Sequence, residues 1–257
     1  MIADRFLSAR RTTAGLHEYP GQLPETLDQA YAIQDAAIVS WRRPIIGWKV
    51  GRVPQGLVAK LGADRLAGPI FESRKASSDV AQMPVFEHGF AAGEAEFLLR
   101  IGTAPDAGKT SYTLDEIRGC IDSVHVGIEV ASSPLGAINK IGPMAVISDF
   151  GNNNGMVIGP PVENWLSSGF EDWNVTTRID GSEVGTGTAS SFPDGAFGAA
   201  KFLLELLARR GIALQPGQWI SSGAVSGVHD ARPGQLVEAD FGGRLQVSCR
   251  LVAAVPQ

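Results

Sequence analysis

The chain is poor in cysteine, has no long apolar run and carries no block of basic residues, and each absence removes a class of protein. Its two cysteines, Cys120 and Cys249, lie far apart without a Cys-x-x-Cys spacing. That argues against a disulfide scaffold or a thiolate zinc site and fits a reducing cytoplasm. The four histidines, His17, His88, His125 and His229, show no metal-ligand spacing. No stretch approaches the roughly 18 apolar residues a spanning helix needs. The opening MIADRFLSARRTTAGLHEYP scatters charges where a signal peptide has an apolar segment. A cytoplasmic protein with no membrane contact is expected. The formal charge is −5, and Lys/Arg residues cluster only as short pairs such as Arg42-Arg43, so no nucleic-acid partner is expected. There is no Gly-x-Ser-x-Gly elbow, which disfavours a serine hydrolase.

With 257 residues the chain is long enough to bury a sizeable core. Thr26 and Gln29 match a capping box, and Ala30, Ile33, Ala37 and Trp41 follow at helical spacing until Pro44 ends the segment. After it, Ile45–Gly51 reads as a strand, and short strands with Gly/Pro punctuation predominate: 94–101, 124–130, 156–158, 175–179, 219–221, 236–240 and 245–252. Residues 196–210 read as one amphipathic helix with Gly211 as its stop, and Thr113 with Glu116 caps a shorter one. Strands outnumber helices and do not alternate with them regularly, so the fold class is α+β. The expected organisation is a helical N-terminal segment, 1–44, on a β-rich catalytic domain, 45–257.

The segment Gly93-Glu94-Ala95-Glu96-Phe97-Leu98-Leu99-Arg100-Ile101 is the most informative. As a strand it turns Glu94 and Glu96 to one face, about 7 Å apart. Two like charges held so close call for a cation or a shared proton. A hard ion such as Mg²⁺ or Mn²⁺ meets that need, and a solvated strand face is the plain alternative. In Val124-His125-Val126-Gly127-Ile128-Glu129-Val130 the same alternation sets His125, Gly127 and Glu129 opposite four apolar residues. If the two strands are neighbours, Glu94, Glu96 and Glu129 form a three-carboxylate metal site with open positions. Gly127 then leaves room for a ligand or a neighbouring strand. Lys49 lies in an apolar strand between glycines, as GWKVG. Drawn into a pocket it loses hydration, its pKa falls and it can act as an acid/base, whereas on an edge strand it would only discourage aggregation. Gly185-Thr186-Gly187-Thr188 lacks the rest of a dinucleotide fingerprint and reads as a polar loop able to touch a carboxylate. Ser148–Gly155 is a turn by composition, and its Asp149 could line a site.

Taken together these stretches resemble the 2-keto-4-pentenoate hydratase / 4-oxalocrotonate decarboxylase family of the fumarylacetoacetate hydrolase superfamily. The markers run in family order: GWKVG, Gly62-Ala63-Asp64 leading to Gly68-Pro69-Ile70-Phe71, GEAEF, GIEVASSP, SDFGNNNG, VGTGTA, ARRGIALQPGQWISSGA and ARPGQLVEADFGG. The resemblance implies a β-rich mixed-sheet roll and a homo-oligomer. It implies Mg²⁺ or Mn²⁺ on Glu94, Glu96 and Glu129, Lys49 as acid/base, Asp149 orienting water, and Gly187 and Ser222 at the substrate. Three substrate-facing stretches depart from the family pattern. Leu66-Ala67 stand where many hydratases carry a second Asp, Arg52-Val53-Pro54 replace a threonine or serine, and the loop 190–195 differs in length.

The implied activity is hydration of 2-hydroxypenta-2,4-dienoate or an analogue to a 4-hydroxy-2-oxo acid. The rivals are decarboxylation of a 4-oxalocrotonate-like diacid, acylpyruvate hydrolysis or oxaloacetate decarboxylation (where only His88 could supply the hydrolytic base), and a non-catalytic oligomer that binds metal and 2-oxo acids.

Overall fold

The computed structural model describes residues 1–257 except Ser78 and Ala107. Two helices lead, α1 (Ile2–Thr12) and α2 (Leu27–Trp41), followed by β1 (Gly47–Arg52), α3 (Gln55–Leu61), β2 (Arg65–Ile70), β3 (Ser73–Lys75), β4 (Ala81–Val85) and β5 (Phe90–Ile101). The middle of the chain forms α4 (Leu114–Cys120), β6 (Ile121–Ser133), α5 (Ile138–Ile141), α6 (Pro143–Ser148), β7 (Asn153–Pro161), β8 (Val175–Ile179) and β9 (Ser182–Gly187). It closes with α7 (Gly195–Arg209), β10 (Trp219–Ser221), β11 (Leu236–Phe241) and β12 (Leu245–Ala253). The class is α+β, as expected, with two mixed sheets ordered β2-β1-β10-β5-β6-β7-β3 and β4-β12-β11-β8-β9. No helix among the described residues is long and apolar enough to cross a membrane.

Local chemistry starts the helices where the sequence marks them. The Thr26 hydroxyl accepts from the Gln29 N–H at 3.2 Å, and Gln29 Oε1 accepts from the Thr26 N–H at 3.4 Å. Thr113 and Glu116 make the same reciprocal pair at α4. Such caps satisfy backbone donors that the first turn leaves free, at about 1 kcal/mol each. Helix α7 buries Phe197, Leu203, Leu204 and Leu207, and Gly211 takes φ 68° just beyond its end.

The long β5–β6 hairpin forms the spine of the larger sheet. On one face of β5, Phe97 packs edge-on against Phe170 and Phe241, with ring centroids 4.7 and 5.1 Å away. Burial of a side chain of that size contributes about 1.5–3 kcal/mol. On the opposite face Leu98 joins Ile70, Met156 and Ile158 in a separate apolar cluster. The sheet thus stands on apolar contacts around the acidic stretch of β5, and it is this rigid surround that holds Glu94 and Glu96 in place.

Two glycines are required by close backbone approach. A Cβ on Gly68 in β2 would lie 2.1 Å from the Phe150 carbonyl oxygen, so the bend at Phe150–Asn152 rests directly on the sheet. A Cβ on Gly127 would lie 2.3 Å from Leu98 Cδ1 and 2.8 Å from the Val157 oxygen. Gly127 therefore makes room for neighbouring strands, not for a ligand. Gly185, Thr186 and Gly187, read above as part of a polar loop, belong to β9, which pairs with β8 as an edge strand.

Candidate metal centre

Antiparallel pairing of β5 and β6 sets Glu94 opposite Glu129 and Glu96 opposite Gly127. Because side chains two apart on a strand share a face, this register gathers all three acids. One carboxylate oxygen from each lies within 4.8 Å of the others, a grouping able to hold a metal ion. Glu96 and Glu129 are wholly buried and Glu94 nearly so, which removes the reading of a solvated acidic face.

Strand β1 supplies the neighbouring cation. It lies between β2 and β10, and its parallel pairing with β10 aligns Lys49 with Ser221. Lys49 is therefore an interior, buried residue and not an edge-strand lysine. Its Nζ lies 3.2 Å from Glu129 Oε2 and donates to Asn152 Oδ1 at 3.2 Å. Asn152 arrives through the bend that rests on Gly68, which pairs with Lys49 across β1 and β2.

The surrounding hydrogen bonds are lopsided in an informative way. Glu96 Oε2 accepts from Ser221 Oγ and, at 2.8 Å, from the Gly223 N–H. Glu129 Oε1 accepts from Asn153 Nδ2 at 2.7 Å. The other oxygen of each, Glu96 Oε1 and Glu129 Oε2, is buried without a hydrogen bond, Glu129 Oε2 having only its ionic contact with Lys49. Buried carboxylate oxygens are costly unless paired. Here Glu96 and Glu129 are each oriented through one oxygen while the second is left without a hydrogen bond, the arrangement that outer hydrogen bonds give metal ligands. Three carboxylates against one ammonium also leave two surplus negative charges, which a divalent cation would cancel. An all-oxygen donor set suits Mg²⁺ or Mn²⁺. The residues present fit such an ion.

Without that charge, protons gather at the site. Burial first, then repulsion from Glu129, raises Glu94 well above the carboxylate range and Glu96 to about 8, with Lys49 opposing. Lys49 departs from the expectation of a lowered pKa. Burial lowers it, but attraction to Glu129, Glu94 and Glu96 outweighs burial and holds the ammonium above its ordinary value.

A cavity of about 570 Å³ opens on the centre. Lys49, Glu94, Asn139, Asn152 and Ser226 give its wall polar groups, Leu66, Val146, Phe192 and Val225 an apolar surface, and Arg52 a second cation. Glu96 and Glu129 are not among the residues that line it.

Other residues singled out in the sequence lie elsewhere. Asp149 is buried and fully engaged, with Arg10 Nε 2.6 Å from Oδ1 and Ser133 Oγ donating to Oδ2 at 2.6 Å. It does not line the cavity, and it is placed as the ion-pair partner of Arg10. Gly187 sits in β9 against the Val225 carbonyl, where a Cβ would come within 2.2 Å, while its neighbour Thr186 lines the cavity. Ser222 is buried and its N–H donates to the Phe97 carbonyl at 3.2 Å. Its predecessor Ser221 is the residue that reaches Glu96. The alternation of Trp219-Ile220-Ser221 carries that signal, since Ile220 faces the core and Ser221 must face the other way. Asn152 and Asn153 lay inside a stretch that composition marks as a turn. His88 does not line the cavity.

Ser221→Ala tests the orienting role. Loss of the hydroxyl leaves Glu96 Oε2 with the Gly223 N–H alone, and titration calorimetry is expected to show Mg²⁺ or Mn²⁺ affinity reduced by about 10–100-fold. Unaltered affinity would mean the hydroxyl plays no part in presenting Glu96.

No family model matches the sequence, and no curated protein matches it. Solved structures do. The 4-oxalocrotonate decarboxylase from Pseudomonas putida G7, complexed with magnesium and adipate, superposes with a TM-score of 0.81 at 19% identity, over 98% of this chain and 96% of that one. Fumarylpyruvate hydrolase from Pseudomonas aeruginosa, in complex with Mn²⁺ and pyruvate, gives a TM-score of 0.59 at 15% identity over 80% and 89%. 2-Hydroxyhepta-2,4-diene-1,7-dioate isomerase from Mycobacterium marinum gives 0.58 at 14% over 82% and 77%. At such identities a shared fold is what the likeness establishes, and over nearly its whole length this chain has the mixed-sheet α+β fold of 4-oxalocrotonate decarboxylase.

Proposed function

We propose that this chain is a divalent-metal-dependent enzyme of the fumarylacetoacetate hydrolase superfamily, a lyase that adds water to a small 2-hydroxy-2,4-dienoate to give a 4-hydroxy-2-oxo acid. The observation that carries the metal-dependent reading is the pair of hydrogen-bond-free buried oxygens, Glu96 Oε1 and Glu129 Oε2, on two of the three acids grouped with Glu94. Glu94, Glu96 and Glu129 would hold Mg²⁺ or Mn²⁺. When bound, such an ion would supply Lewis-acid charge to the 2-oxo acid end of the substrate.

The chain's own groups account for the proton traffic. Lys49 Nζ, on the cavity wall beside Glu129, holds a proton for transfer to the dienol's terminal carbon, C5. With the carboxylates neutralised, burial is the influence left on Lys49, and burial makes it release that proton more readily. As C5 gains that proton the 2-hydroxyl gives up its own to the Lys49 amine, and ketonisation leaves a C3=C4 bond conjugated to the 2-oxo group. Water oxygen then bonds to C4 and a proton to C3, for a net gain of one water. The amide of Asn152, which accepts from Lys49 and donates to Asn139 at 3.1 Å, is placed to hold that water. The apolar wall at Leu66, Val146, Phe192 and Val225 limits bulk water around the dienol.

A second reading is decarboxylation of an unsaturated 2-oxo diacid, which needs no activated water. The engagement of Asp149 by Arg10 and Ser133, leaving no such carboxylate free to orient water, favours it.

The test is a spectrophotometric assay of Mg²⁺- or Mn²⁺-loaded protein with freshly generated 2-hydroxypenta-2,4-dienoate and its 5-carboxy analogue, 2-hydroxyhexa-2,4-dienedioate, beside an EDTA-treated control. Metal-dependent loss of the dienoate absorbance with a 4-hydroxy-2-oxo product is expected. Release of CO₂ without a hydroxylated product would establish the second reading, and silence from metal-loaded protein on both substrates would overturn both.

A further inference from the structure

Arg52 ends strand β1, three residues after Lys49 and so about 10 Å further along it. It lines the same cavity, and its guanidinium lies over the Phe192 ring, 5.0 Å from the centroid. Directly opposite, across the β1–β2 pair, stands Arg65. Like charges facing each other across a ladder are destabilising. Arg65 has partners, donating to the Pro193 carbonyl at 2.5 Å and lying 3.4 Å from Asp64. Its pKa is lowered, by burial first and in part by the charge of Arg52, against the pull of Asp64. Arg52, at the exposed end of the strand, has only water and the Phe192 ring. Among the described residues no carboxylate pairs with it, although it lines the cavity that reaches Glu94 of the candidate metal centre.

A cation that is stacked on an aromatic ring, opposed by a second arginine and left without a counter-ion is arranged to receive an anion. The protein supplies none, and the cavity is where a substrate lies. We infer that Arg52 is a specificity-determining residue that pairs with a second carboxylate of the substrate, so that the cavity selects a 2-oxo dicarboxylic acid over a monocarboxylic one. The two ends of the ligand are then recognised differently, the 2-oxo acid end beside Glu94 and Lys49 and the distal carboxylate by the planar fork of Arg52. An ion pair of this kind stabilises the distal carboxylate as it stands and opposes its departure as CO₂, so it accords with hydration of a diacid that keeps both carboxylates. The inference rests on the metal-dependent 2-oxo acid reading above.

Binding to the Mg²⁺-loaded protein, measured by calorimetry with 2-oxoadipate and with 2-oxohexanoate, tests it. These differ only in the terminal carboxylate. Wild type is expected to bind 2-oxoadipate about tenfold or more tightly than 2-oxohexanoate, the scale of a charge-assisted hydrogen-bonded pair. In Arg52→Gln the ratio of the two dissociation constants is expected to fall to within about twofold of one, and Arg52→Lys, which keeps the charge without the fork, to recover part of it. Raised salt should shrink the wild-type preference. Metal-dependent binding of both acids with equal affinity, or a preference that survives Arg52→Gln, would overturn the role of Arg52 while leaving the metal centre standing. If neither acid binds, the 2-oxo acid reading fails and this inference falls with it.

Discussion

Glu96→Gln is expected to abolish turnover and the stabilisation conferred by Mg²⁺ or Mn²⁺, and at the same time to make the metal-free protein more stable at alkaline pH. The two effects have one cause. Glu96 is wholly buried within a set of oxygens less than 4.8 Å apart, where the like charges of Glu94 and Glu129 outnumber the single ammonium of Lys49. Two such charges about 4 Å apart interact by roughly 4 kcal/mol at an effective dielectric near 20. A glutamine keeps the oxygen that accepts from Ser221 and the Gly223 N–H and removes the charge. It also removes a ligand, so the centre no longer supplies three carboxylates. Wild type at a hundredfold excess of metal over Kd gains about 2.7 kcal/mol, or about 5–10 °C in Tm for a chain of this size. The variant should gain little. Thermal melts with and without Mg²⁺ at about pH 9 give both numbers. A Glu96→Gln protein that still binds metal and turns over would show that the centre is drawn wrongly.

The pH dependence follows from the same repulsion. In the metal-free fold, burial and then Glu129 push Glu96 up to about 8, and Glu94 moves the same way. Between the ordinary carboxylate range and that value the folded protein binds more protons than the unfolded chain. Its stability therefore falls as pH rises through the window. Metal reverses the trend, because protons and the cation compete for the same oxygens and affinity grows with pH. Denaturation of the EDTA-treated protein across that range should show the decline, and Glu96→Gln should flatten it.

How much of this was legible beforehand depended on the range of the interaction. Strict alternation in 94–101 and 124–130 told which residues share a face, and the structure keeps Glu94 with Glu96 and opposite Phe97. Capping boxes at Thr26 and Thr113 placed α2 and α4 because their chemistry is confined to four residues. That β5 and β6 are neighbours in a register pairing Glu94 with Glu129 is a long-range fact that no local pattern encodes. Strand β2, Arg65–Ile70, is buried on both faces and so shows no alternation, and β9 is an exposed polar edge with none either. The expectation of a lowered Lys49 pKa fails for a related reason. Desolvation can be read from an apolar strand, but the three acids that outweigh it arrive from β5 and β6. Ser221 was within reach, one residue from the Ser222 that the family pattern suggested, since Ile220 fixes which way it points.

The largest effect on stability is expected from a residue far from any motif. Arg10, on α1, is 4% exposed, and its guanidinium is consumed by five hydrogen bonds: Nε to Asp149 Oδ1 at 2.6 Å, Nη1 to the Asn153 carbonyl and Asn154 Oδ1 at 3.2 and 3.1 Å, and Nη2 to the Ser132 and Asp149 carbonyls at 3.3 Å each. The Phe86 and Phe150 rings lie 5.5 and 5.3 Å from it. Arg10→Met leaves Asp149, itself 1% exposed, as a buried carboxylate with only Ser133 for company. Breaking a buried pair from one side costs about 3–5 kcal/mol, which for a chain of this length is a Tm lowered by roughly 6–20 °C. Asp149→Leu added to Arg10→Met should restore part of that, since the stranded charge is then gone, and urea denaturation of the two single variants and the double one measures the coupling. The same substitution reaches the metal centre. Asn153, whose carbonyl Arg10 holds, is the donor that fixes Glu129 Oε1 at 2.7 Å. Metal affinity of the folded Arg10→Met protein, taken by calorimetry well below its Tm, should therefore fall several-fold. Lost stability with undiminished affinity would mean that β7 holds Asn153 without help from α1, and that the first helix braces the fold but not the site.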